Sequence, residues 1–530
     1  MNSTGIAQNL TRPDFYPQRP AAVEMVQTHI SWVFIAGDLV YKVKKPVNFG
    51  FLDFTTLEKR KFYCEEEVRL NRRLAPSIYL DVVPIVRRED GRLRPGGPGD
   101  VVDYAVRMKK LPLDRMLKIL LAQGRADAKV MDAVARRIAR FHREAETGGA
   151  IDEMGRPAII RHNQEENFAQ TEKYVNRTIP AYQYDFIREY VEKFLNVHSE
   201  LLERRVAEHR IRDCHGDLHL EHICIADDIL VFDCIEFNER FRFGDVAAEV
   251  AFLTMDLDYN GYPERAEDFA RSYLDDSGDR DLPALLNFYR SYYAYVRGKV
   301  TSFRLDQKEL PEAERSDVIR TATQYFNLSY TYAARLEKPA LILTAGLIGS
   351  GKSYQARNLA ERLGADVVRT DVLRKELLQI APAEKHPDAF GQGIYSADIT
   401  RKTYEKAVEW AAGRLAQGRP VIIDASFRSR ADRTPAIALA RKLAVPLYVI
   451  ECACPDELVK IRLEKRQQDW DNPSDGRWEI LQEQKRHYEA ICEIPAQSHF
   501  RVDTSDKPEL AREQIIRKIK MAELEPPRVT

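Results

Sequence analysis

The sequence has few of the features that would place a protein in a membrane or an oxidising compartment. Its 530 residues include only 7 cysteines, an odd number without zinc-type paired spacing, which favours free thiols over a disulfide framework. No apolar run approaches the roughly 20 residues that cross a bilayer, and the N-terminus lacks a basic segment followed by an apolar core. We therefore expect a cytoplasmic protein with no membrane partner.

The sequence also lacks a charge excess of either sign. The formal net charge is −1, so the whole-chain balance gives no argument for a nucleic acid or a membrane surface, although a local basic patch stays open. Hydrophobic residues make up 44% and charged residues 31%, as in ordinary globular proteins, and the length favours about two to four domains.

The most specific motif is the glycine-rich segment GLIGSGKS, from Gly346 to Ser353. It follows the apolar run 341–345 and precedes a helical segment that ends near Gly364, which is the context of a phosphate-binding loop. The glycines let backbone N–H groups surround phosphates, Lys352 reaches the outer phosphates and the Ser353 hydroxyl binds Mg²⁺. The pattern predicts binding of ATP, with GTP as a second candidate. The residues assigned to the nucleotide are Gly346, Gly349, Ser350, Gly351, Lys352 and Ser353.

Acidic residues follow two of the later strand-like runs. From residue 340 onward apolar runs alternate with helical segments, which predicts a parallel α/β sheet. Because the carboxyl ends of parallel strands face the ligand crevice, Asp371 is placed to accept a proton from an attacking hydroxyl. Asp424 ends another run, as expected of a carboxylate near Mg²⁺. Capping of the next helix is the alternative role of Asp371.

Three arginines of this region are candidates for holding phosphate or acceptor. Arg374 lies one helical turn after Asp371 and would orient the acceptor. Arg462 and Arg466 stand four apart on a predicted helix, share a face and would stabilise the transferring phosphoryl group together with Lys352. A solvated charged face is the alternative for Arg462 and Arg466.

A second set of phosphoryl-transfer residues lies in the first half of the chain. Lys42 belongs to a predicted β-hairpin, and Glu65, Glu66 and Glu67 to the helix after it. Farther along come the segment HGDLH, which contains Asp217, and then an apolar run that ends in Asp233. A strand lysine, a helix glutamate, a loop aspartate and a later aspartate, in this order, are what protein-kinase chemistry requires.

Residues 25–330 resemble the aminoglycoside phosphotransferase family of kinase-like enzymes, whose catalytic loop reads HGDLHxxN where this chain reads HGDLHLEH. The resemblance implies that Asp217 is the catalytic base, that Asp233 binds Mg²⁺ and that Lys42 contacts the phosphates of ATP. It also implies an acidic partner for Lys42, for which Glu67 is our choice and Glu66 the second.

The chain departs from this family at His222, where the family has Asn as a metal ligand. An imidazole binds metals but suits Mg²⁺ less well than a carboxamide oxygen. We keep His222 as a candidate metal ligand. His215 matches the residue that shapes the catalytic loop, and we group it with Arg374 on the acceptor side. The sequence also shows no G-x-G-x-x-G to cover the phosphates, so a nucleotide-binding domain without full activity stays open.

Residues 338–510 resemble the small P-loop kinases, which include the kinase half of polynucleotide kinase, gluconate kinase and zeta-type toxins. The residues that carry this resemblance are GLIGSGKS and the segment TDVLR around Asp371. The order of the two halves resembles that of bacterial two-domain proteins.

We therefore predict an extended lead-in over 1–24, a bilobal α+β kinase-like domain over 25–335 and an α/β P-loop domain with a parallel sheet over 336–530. The first hypothesis is a bifunctional ATP-dependent kinase, each half transferring the γ-phosphoryl group to a hydroxyl of a small-molecule or polynucleotide acceptor. One alternative is a P-loop kinase with a nucleotide-binding pseudokinase that docks a partner. Another is a nucleic-acid-directed kinase or toxin. The oligomeric state stays open.

Overall fold

A computed structural model describes residues 3–307, 309–381, 384, 391–467, 478–505 and 508–525. The chain divides into two compact units, one of residues 1–174 and 198–328 and the other of residues 175–197 and 329–530. The second unit thus begins near the boundary expected from the sequence, but it also takes in a segment from the middle of the first half.

The first unit begins with an antiparallel sheet that carries one helix. Residues 24–109 are all described, and their six strands pair in the order β1-β2-β3-β6-β4-β5. The elements are α1 (Ser3–Leu10), β1 (Glu24–Gln27), β2 (Ser31–Ala36), β3 (Leu39–Lys44), α2 (Leu57–Asn71), β4 (Tyr79–Arg87), β5 (Leu93–Pro95) and β6 (Asp100–Lys109). Strands β2 and β3 form the hairpin that the sequence predicts, since Ala36 pairs with Leu39 across Gly37 and Asp38.

The extended conformation expected for the first residues is wrong. They form α1 and a short 3₁₀ turn, Pro13–Phe15. Leu10, Phe15 and Tyr16 are buried in a cluster with Phe34 of β2 and Tyr41 of β3. Burial of these side chains removes apolar area from water, so the segment is part of the core of the first unit.

Helix α2 is capped by a threonine at its N-terminus. The side chain of Thr56 accepts a hydrogen bond from the Lys59 N–H. Thr55 donates its hydroxyl to Asp53. The helix buries Cys64 against strands β4 and β6, which brings its inner face next to β3.

The rest of the first half is mainly helical, as expected, with short strands around the catalytic-loop motif. Its elements are α3 (Leu117–Ala122), α4 (Ala128–Glu144), α5 (Ala150–Glu153), α6 (Pro157–Thr171), α7 (Ala181–Val197), α8 (Ser199–Ala207), β7 (Ile211–Asp213), β8 (Ile223–Ile225), β9 (Ile229–Val231), α9 (Glu239–Arg242), β10 (Phe243–Asp245), α10 (Val246–Tyr259), α11 (Pro263–Ser277), α12 (Leu282–Phe303) and α13 (Glu312–Ala334).

The second unit contains the predicted parallel α/β sheet. Its described strands pair in the order β12-β13-β11-β14-β15, all parallel. The elements are β11 (Leu341–Ala345), α14 (Lys352–Leu363), β12 (Asp366–Arg369), α15 (Thr370–Leu377), α16 (Ala397–Ala416), β13 (Val421–Asp424), α17 (Arg430–Leu443), β14 (Leu447–Ala453), α18 (Asp456–Gln467), α19 (Trp478–Arg486), β15 (His499–Asp503) and α20 (Pro508–Glu523). Strand β13 lies between β11 and β12, so the ends of these three strands meet at one edge.

Helix α7 belongs to this second unit. Its Phe186 ring packs on Tyr330, and its Tyr190 lies under the ammonium group of Lys520. Among the described residues, no helix is both long and apolar enough to cross a membrane.

Candidate active sites

The site of the first unit is built around a group of ion pairs, most of whose side chains are buried. Lys42 on β3 places its Nζ 2.9 Å from Oε1 of Glu67 on α2 and 2.5 Å from Oδ1 of Asp233, which follows β9. Lys44 lies two residues along β3, on the same face, with its Nζ 2.8 Å from Oε2 of Glu67 and in contact with Glu236. Glu67 therefore bridges the two lysines, whereas Glu66 pairs with Arg69.

Lys42 and Glu67 stabilise each other in the charged state. Burial works against the charge on Lys42, but Asp233 and Glu67 outweigh it and raise the pKa of Lys42 well above its ordinary value. Burial likewise raises the pKa of Glu67, but Lys42 and Lys44 reverse the effect and lower it. A buried charge is tolerated only when it is paired in this way, so the lysine is held rigidly in its ionised form.

The loop that carries Asp217 is fixed by Glu249 of α10. The carboxylate of Glu249 accepts hydrogen bonds from the backbone N–H groups of His215, at 2.9 Å, and Gly216, at 2.7 Å, and contacts Nε2 of His142 at 2.8 Å. Gly216 has a φ of 84°, and a Cβ there would lie 2.8 Å from the carbonyl oxygen of Phe241. The loop therefore requires glycine at this point.

Asp217 is partly exposed and stays ionised at neutral pH. Burial raises the pKa of Asp217, but the hydrogen bond from His219 and the electrostatic effect of the nearby His222 ring outweigh burial and lower it to about 2. An ionised carboxylate can accept a hydroxyl proton. By contrast His215 is buried: Nε2 donates to the Phe232 carbonyl at 3.0 Å and Nδ1 accepts from the Asp217 N–H at 3.3 Å. Both its nitrogens serve the loop, and neither is left for an acceptor.

The metal ligands available in this unit are mixed. Asp233 offers a carboxylate oxygen, which suits Mg²⁺, and Nε2 of His222 lies 3.6 Å from Oδ2 of Asp233. The residues fit ATP with a divalent cation, because Lys42 can contact the phosphates and Asp233 can hold the cation. The nitrogen of His222 does not match the all-oxygen set that Mg²⁺ prefers.

The phosphate-binding loop of the second unit follows β11 and is fixed by two glycines. Gly346 has a φ of 127°, and a Cβ there would lie 2.4 Å from the carbonyl oxygen of Cys452. Gly349 has a φ of 75°, and its Cβ would meet Val459 at 2.7 Å. The loop ends at Gly351, after which Lys352 and Ser353 begin α14, so its N–H groups surround the position of an anion.

Two polar groups of this loop support its fit to a nucleotide. The Ser350 hydroxyl is buried and has no hydrogen-bond partner among the described residues, as expected of a donor that a phosphate would satisfy. Nζ of Lys352 donates to the carbonyl of Leu347 at 2.7 Å, so this lysine lies over the loop. Ser353 and Asp424 offer oxygen ligands, and these residues fit Mg²⁺.

The two candidate carboxylates meet at the edge formed by β11, β12 and β13. Oδ1 of Asp424 accepts a hydrogen bond from Thr344 of β11 at 3.0 Å, and its Oδ2 lies 3.6 Å from Nε of Arg369. Asp371 lies in the first turn of α15, whose N-cap is Arg369. Burial, and next the charge of Asp424, raise the pKa of Asp371. A carboxylate with a raised pKa is a better proton acceptor.

Among the three candidate arginines, two are placed by the structure. Nη1 of Arg374 donates to the carbonyl of Ile394 at 3.0 Å and to Thr400 at 3.1 Å, which ties α15 to the start of α16. Arg462 donates to the carbonyl of Thr504 at 2.6 Å and to its hydroxyl at 3.0 Å. The side chain of Arg466 lies outside the described part of the chain, so its pairing with Arg462 stays a prediction.

Sequence reasoning missed several residues that hold these sites. Lys44 was identifiable, because Lys-x-Lys on one strand places both side chains on one face. Glu236 and Glu249 carry no local signal, since only the fold brings them to Lys44 and to the catalytic loop. No sequence pattern marks Thr504 as part of the site either. Its hydroxyl donates to the carbonyl of Ser350 at 2.8 Å, so Thr504 connects Arg462 to the phosphate-binding loop.

The model of the phosphotransferase enzyme family matches residues 59–286, and a model described as an AAA domain matches residues 341–491. Fold and sites thus define an enzyme with two kinase-type phosphotransferase domains, one of each kind. The chain is 31% identical over 438 residues to the uncharacterized protein Rv2004c of Mycobacterium tuberculosis, with 82% of this chain and 83% of that protein covered. The same figures hold for Mb2027c of Mycobacterium bovis. The chain belongs to the family of these proteins.

Solved structures similar to the chain include kinases of both kinds. A choline/ethanolamine kinase family protein from Mesorhizobium loti is 12% identical, with 63% of this chain and 99% of that chain covered and a TM-score of 0.38. A gluconokinase from Sinorhizobium meliloti is 21% identical, with 36% of this chain and 96% of that chain covered and a TM-score of 0.26.

Proposed function

We propose that each half of this kinase-type enzyme transfers the γ-phosphoryl group of ATP to a hydroxyl of its own acceptor. The observation that carries the proposal is that each unit brings together a cationic group for phosphates and two carboxylates for proton and metal. In the first unit these are Lys42, Asp217 and Asp233. In the second unit they are Lys352, Asp371 and Asp424.

In the second unit, Lys352 and the loop N–H groups would hold the β- and γ-phosphates, with Ser353 and Asp424 as ligands of Mg²⁺. The cation would neutralise developing charge on the phosphates. Asp371 would take the proton of the acceptor hydroxyl, for which its raised pKa suits it. Arg462 would stabilise the transferring group. The acceptor classes to test are nucleosides, polynucleotide ends and sugar acids.

In the first unit, Lys42 would contact the phosphates while Glu67 keeps it in place. Asp217 would orient the acceptor hydroxyl and accept its proton, and Asp233 would hold the cation. Sugars and amino sugars are the acceptor classes to test. Glu249 supports this role by fixing the backbone on either side of the His215–Gly216 peptide bond.

The test incubates the full chain with radiolabelled ATP and a metabolite extract. We expect two groups of labelled products, one lost in Asp217→Asn and the other lost in Asp371→Asn. Lys352→Ala should remove only the second group. Products that survive both aspartate substitutions would contradict the proposed bases.

A regulatory role for the first unit is the second candidate, and His222 in place of a carboxamide favours it. On this reading the first unit binds nucleotide without turnover. The same experiment separates the two: if Asp217→Asn leaves every product unchanged while Lys352→Ala removes all of them, the first unit is not a working kinase.

A further inference from the structure

The first unit contains a cluster of potential metal ligands that includes two imidazoles. Within the described residues, Asp217, His219 and His222 each offer a ligand atom, and these atoms all lie within 4.8 Å of one another. Asp233 adjoins the cluster, with Oδ2 3.6 Å from His222. Two imidazoles beside two carboxylates are an unusual set for a site that uses only oxygen ligands.

The hydrogen bonds of His222 decide which of its nitrogens is free to bind a metal. Nδ1 of His222 lies 2.9 Å from the backbone carbonyl oxygen of Asp217. A carbonyl oxygen only accepts, so Nδ1 carries the proton and Nε2 is left with its lone pair. The orientation of the His222 ring is also fixed by packing. Its centroid lies 3.9 Å from the centroid of the His219 ring and 5.7 Å from that of the Phe232 ring. Packing and the hydrogen bond thus hold Nε2 of His222 on the side of the ring that faces Asp233.

His219 has the opposite arrangement. Its Nδ1 accepts a hydrogen bond from the N–H of Glu221 at 3.3 Å, so in the neutral ring Nε2 carries the proton. That Nε2 lies 3.5 Å from Oδ2 of Asp217. His219 thus serves the aspartate as a donor, and His222 is the imidazole of the pair that presents a lone pair to a cation.

Asp233 divides its two oxygens between a lysine and this imidazole. Oδ1 contacts Nζ of Lys42 at 2.5 Å, and Oδ2 faces Nε2 of His222 at 3.6 Å. Two ligands about 2.1 Å from one cation at roughly tetrahedral angles lie about 3.4 Å apart. The observed separation is close to this value, so both atoms can bind the same ion after a small adjustment.

We propose that the first unit binds a divalent transition-series cation, of the Mn²⁺, Co²⁺ or Zn²⁺ kind, through Nε2 of His222 and Oδ2 of Asp233, in preference to Mg²⁺. Imidazole nitrogen binds these ions well, whereas Mg²⁺ prefers oxygen and keeps its waters. The inference deepens the proposed function and rests on it for the use of the ion in transfer. Binding of the ion is measured without turnover.

The experiment uses the full chain, stripped of metal with a chelator and loaded with less than one equivalent of Mn²⁺ without nucleotide. Electron spin-echo envelope modulation detects ¹⁴N directly bound to Mn²⁺. We expect this modulation in the wild type. The candidate ligands of the second unit, Ser353 and Asp424, supply oxygen only and would not produce it. Isothermal titration with Mn²⁺ and with Mg²⁺ gives the two affinities.

His222→Asn is the decisive variant, and His162→Asn, at an exposed histidine of α6, is the matched control. His222→Asn should lose the ¹⁴N modulation and at least about tenfold in Mn²⁺ affinity, while Mg²⁺ affinity is kept or rises. The control should behave as wild type. Asp233→Asn, which keeps the imidazole, should also weaken Mn²⁺ binding, and circular dichroism checks the fold of each variant.

A wild type without ¹⁴N modulation, or a modulation that survives in His222→Asn, would overturn the inference. Equal affinity of the wild type for Mn²⁺ and Mg²⁺ would also overturn the inference. The proposed function fails separately: if the modulation depends on His222 but Asp217→Asn changes no labelled product, the cation site stands and catalysis by the first unit does not.

Discussion

At the scale of single residues, both sites depend on charges whose state is set by their neighbours. Glu67 is completely buried and stays ionised because two lysines of the same strand reach it. His215 lies at the other extreme, since it is buried with both nitrogens used and burial lowers its pKa to about 4. Neither state follows from residue type, because the partners come from distant parts of the chain.

Lys44→Met should strongly destabilise the first unit. Lys44 is fully buried, and its removal leaves Glu67 and Glu236 without one of their positive partners, which costs about 3–5 kcal/mol for a buried pair. Thermal or urea unfolding measures the effect. Lys61→Met, which removes an exposed pair on α2, should change stability by less than about 1 kcal/mol. Equal effects of both substitutions would show that the buried network is not stabilising.

Stability of the first unit should fall as the pH drops from 6.5 towards 4, in part because of His215. In the folded protein its pKa is about 4, against 6.5 ordinarily, so the unfolded chain binds a proton in this range that the folded chain does not. The difference is worth roughly 3 kcal/mol below both pKa values. Titration of ¹³C-labelled histidine by NMR, with His215→Gln to identify the signal, should place its midpoint near 4. A midpoint above 6 would contradict the prediction.

At the scale of elements, the two halves hold their reactive groups by different means. In the first unit, α2 and β3 present Glu67 and Lys42 to each other, so the site depends on packing between a helix and a sheet. In the second unit the ends of parallel strands β11, β12 and β13 bring the loop, Asp371 and Asp424 to one edge. This edge was predictable, because parallel strands always place their carboxyl ends together.

Gly346→Ala should abolish nucleotide binding by the second unit. The new Cβ would lie 2.4 Å from the carbonyl of Cys452, and a φ of 127° is strained for alanine, so the loop must move. Gly413→Ala in α16 is the control, since its Cβ would meet nothing within 4 Å and alanine favours a helix by up to about 1 kcal/mol. Titration with a fluorescent ATP analogue measures the loss, as the disappearance of one of the two binding events expected of the wild type. Unchanged affinity in Gly346→Ala would show that the loop adapts.

At the scale of the whole molecule, the chain forms two compact units that do not follow its order strictly. The sequence predicts the two domains and their folds, since each has its own motif and strand pattern. It does not predict that α7, in the middle of the first half, belongs to the second unit. An amphipathic helix shows only that it has an apolar face, not which surface covers that face.

Phe186→Ala, in α7, should destabilise the second unit. The first unit, whose residues precede and follow α7 in the sequence, should be affected less. Phe186 is buried against Tyr330, and truncation of a buried phenylalanine costs about 3–5 kcal/mol. Hydrogen exchange should accelerate in β11 and β13 more than in β2 and β3. Tyr182→Ala, at a more exposed ring of the same helix, should have a smaller effect. Faster exchange in β2 and β3 alone would contradict the division.

The sequence by itself determined the two kinase-type folds, the glycine-rich loop motif and the order of the candidate catalytic residues, because glycine spacing, strand periodicity and short motifs are local properties. The tertiary structure alone decided that Glu67 rather than Glu66 meets Lys42, that Lys44 and Glu236 join them, and that the free nitrogen of His222 points at Asp233. These are contacts between residues far apart in the chain, and they depend on packing and hydrogen bonding that no local pattern encodes.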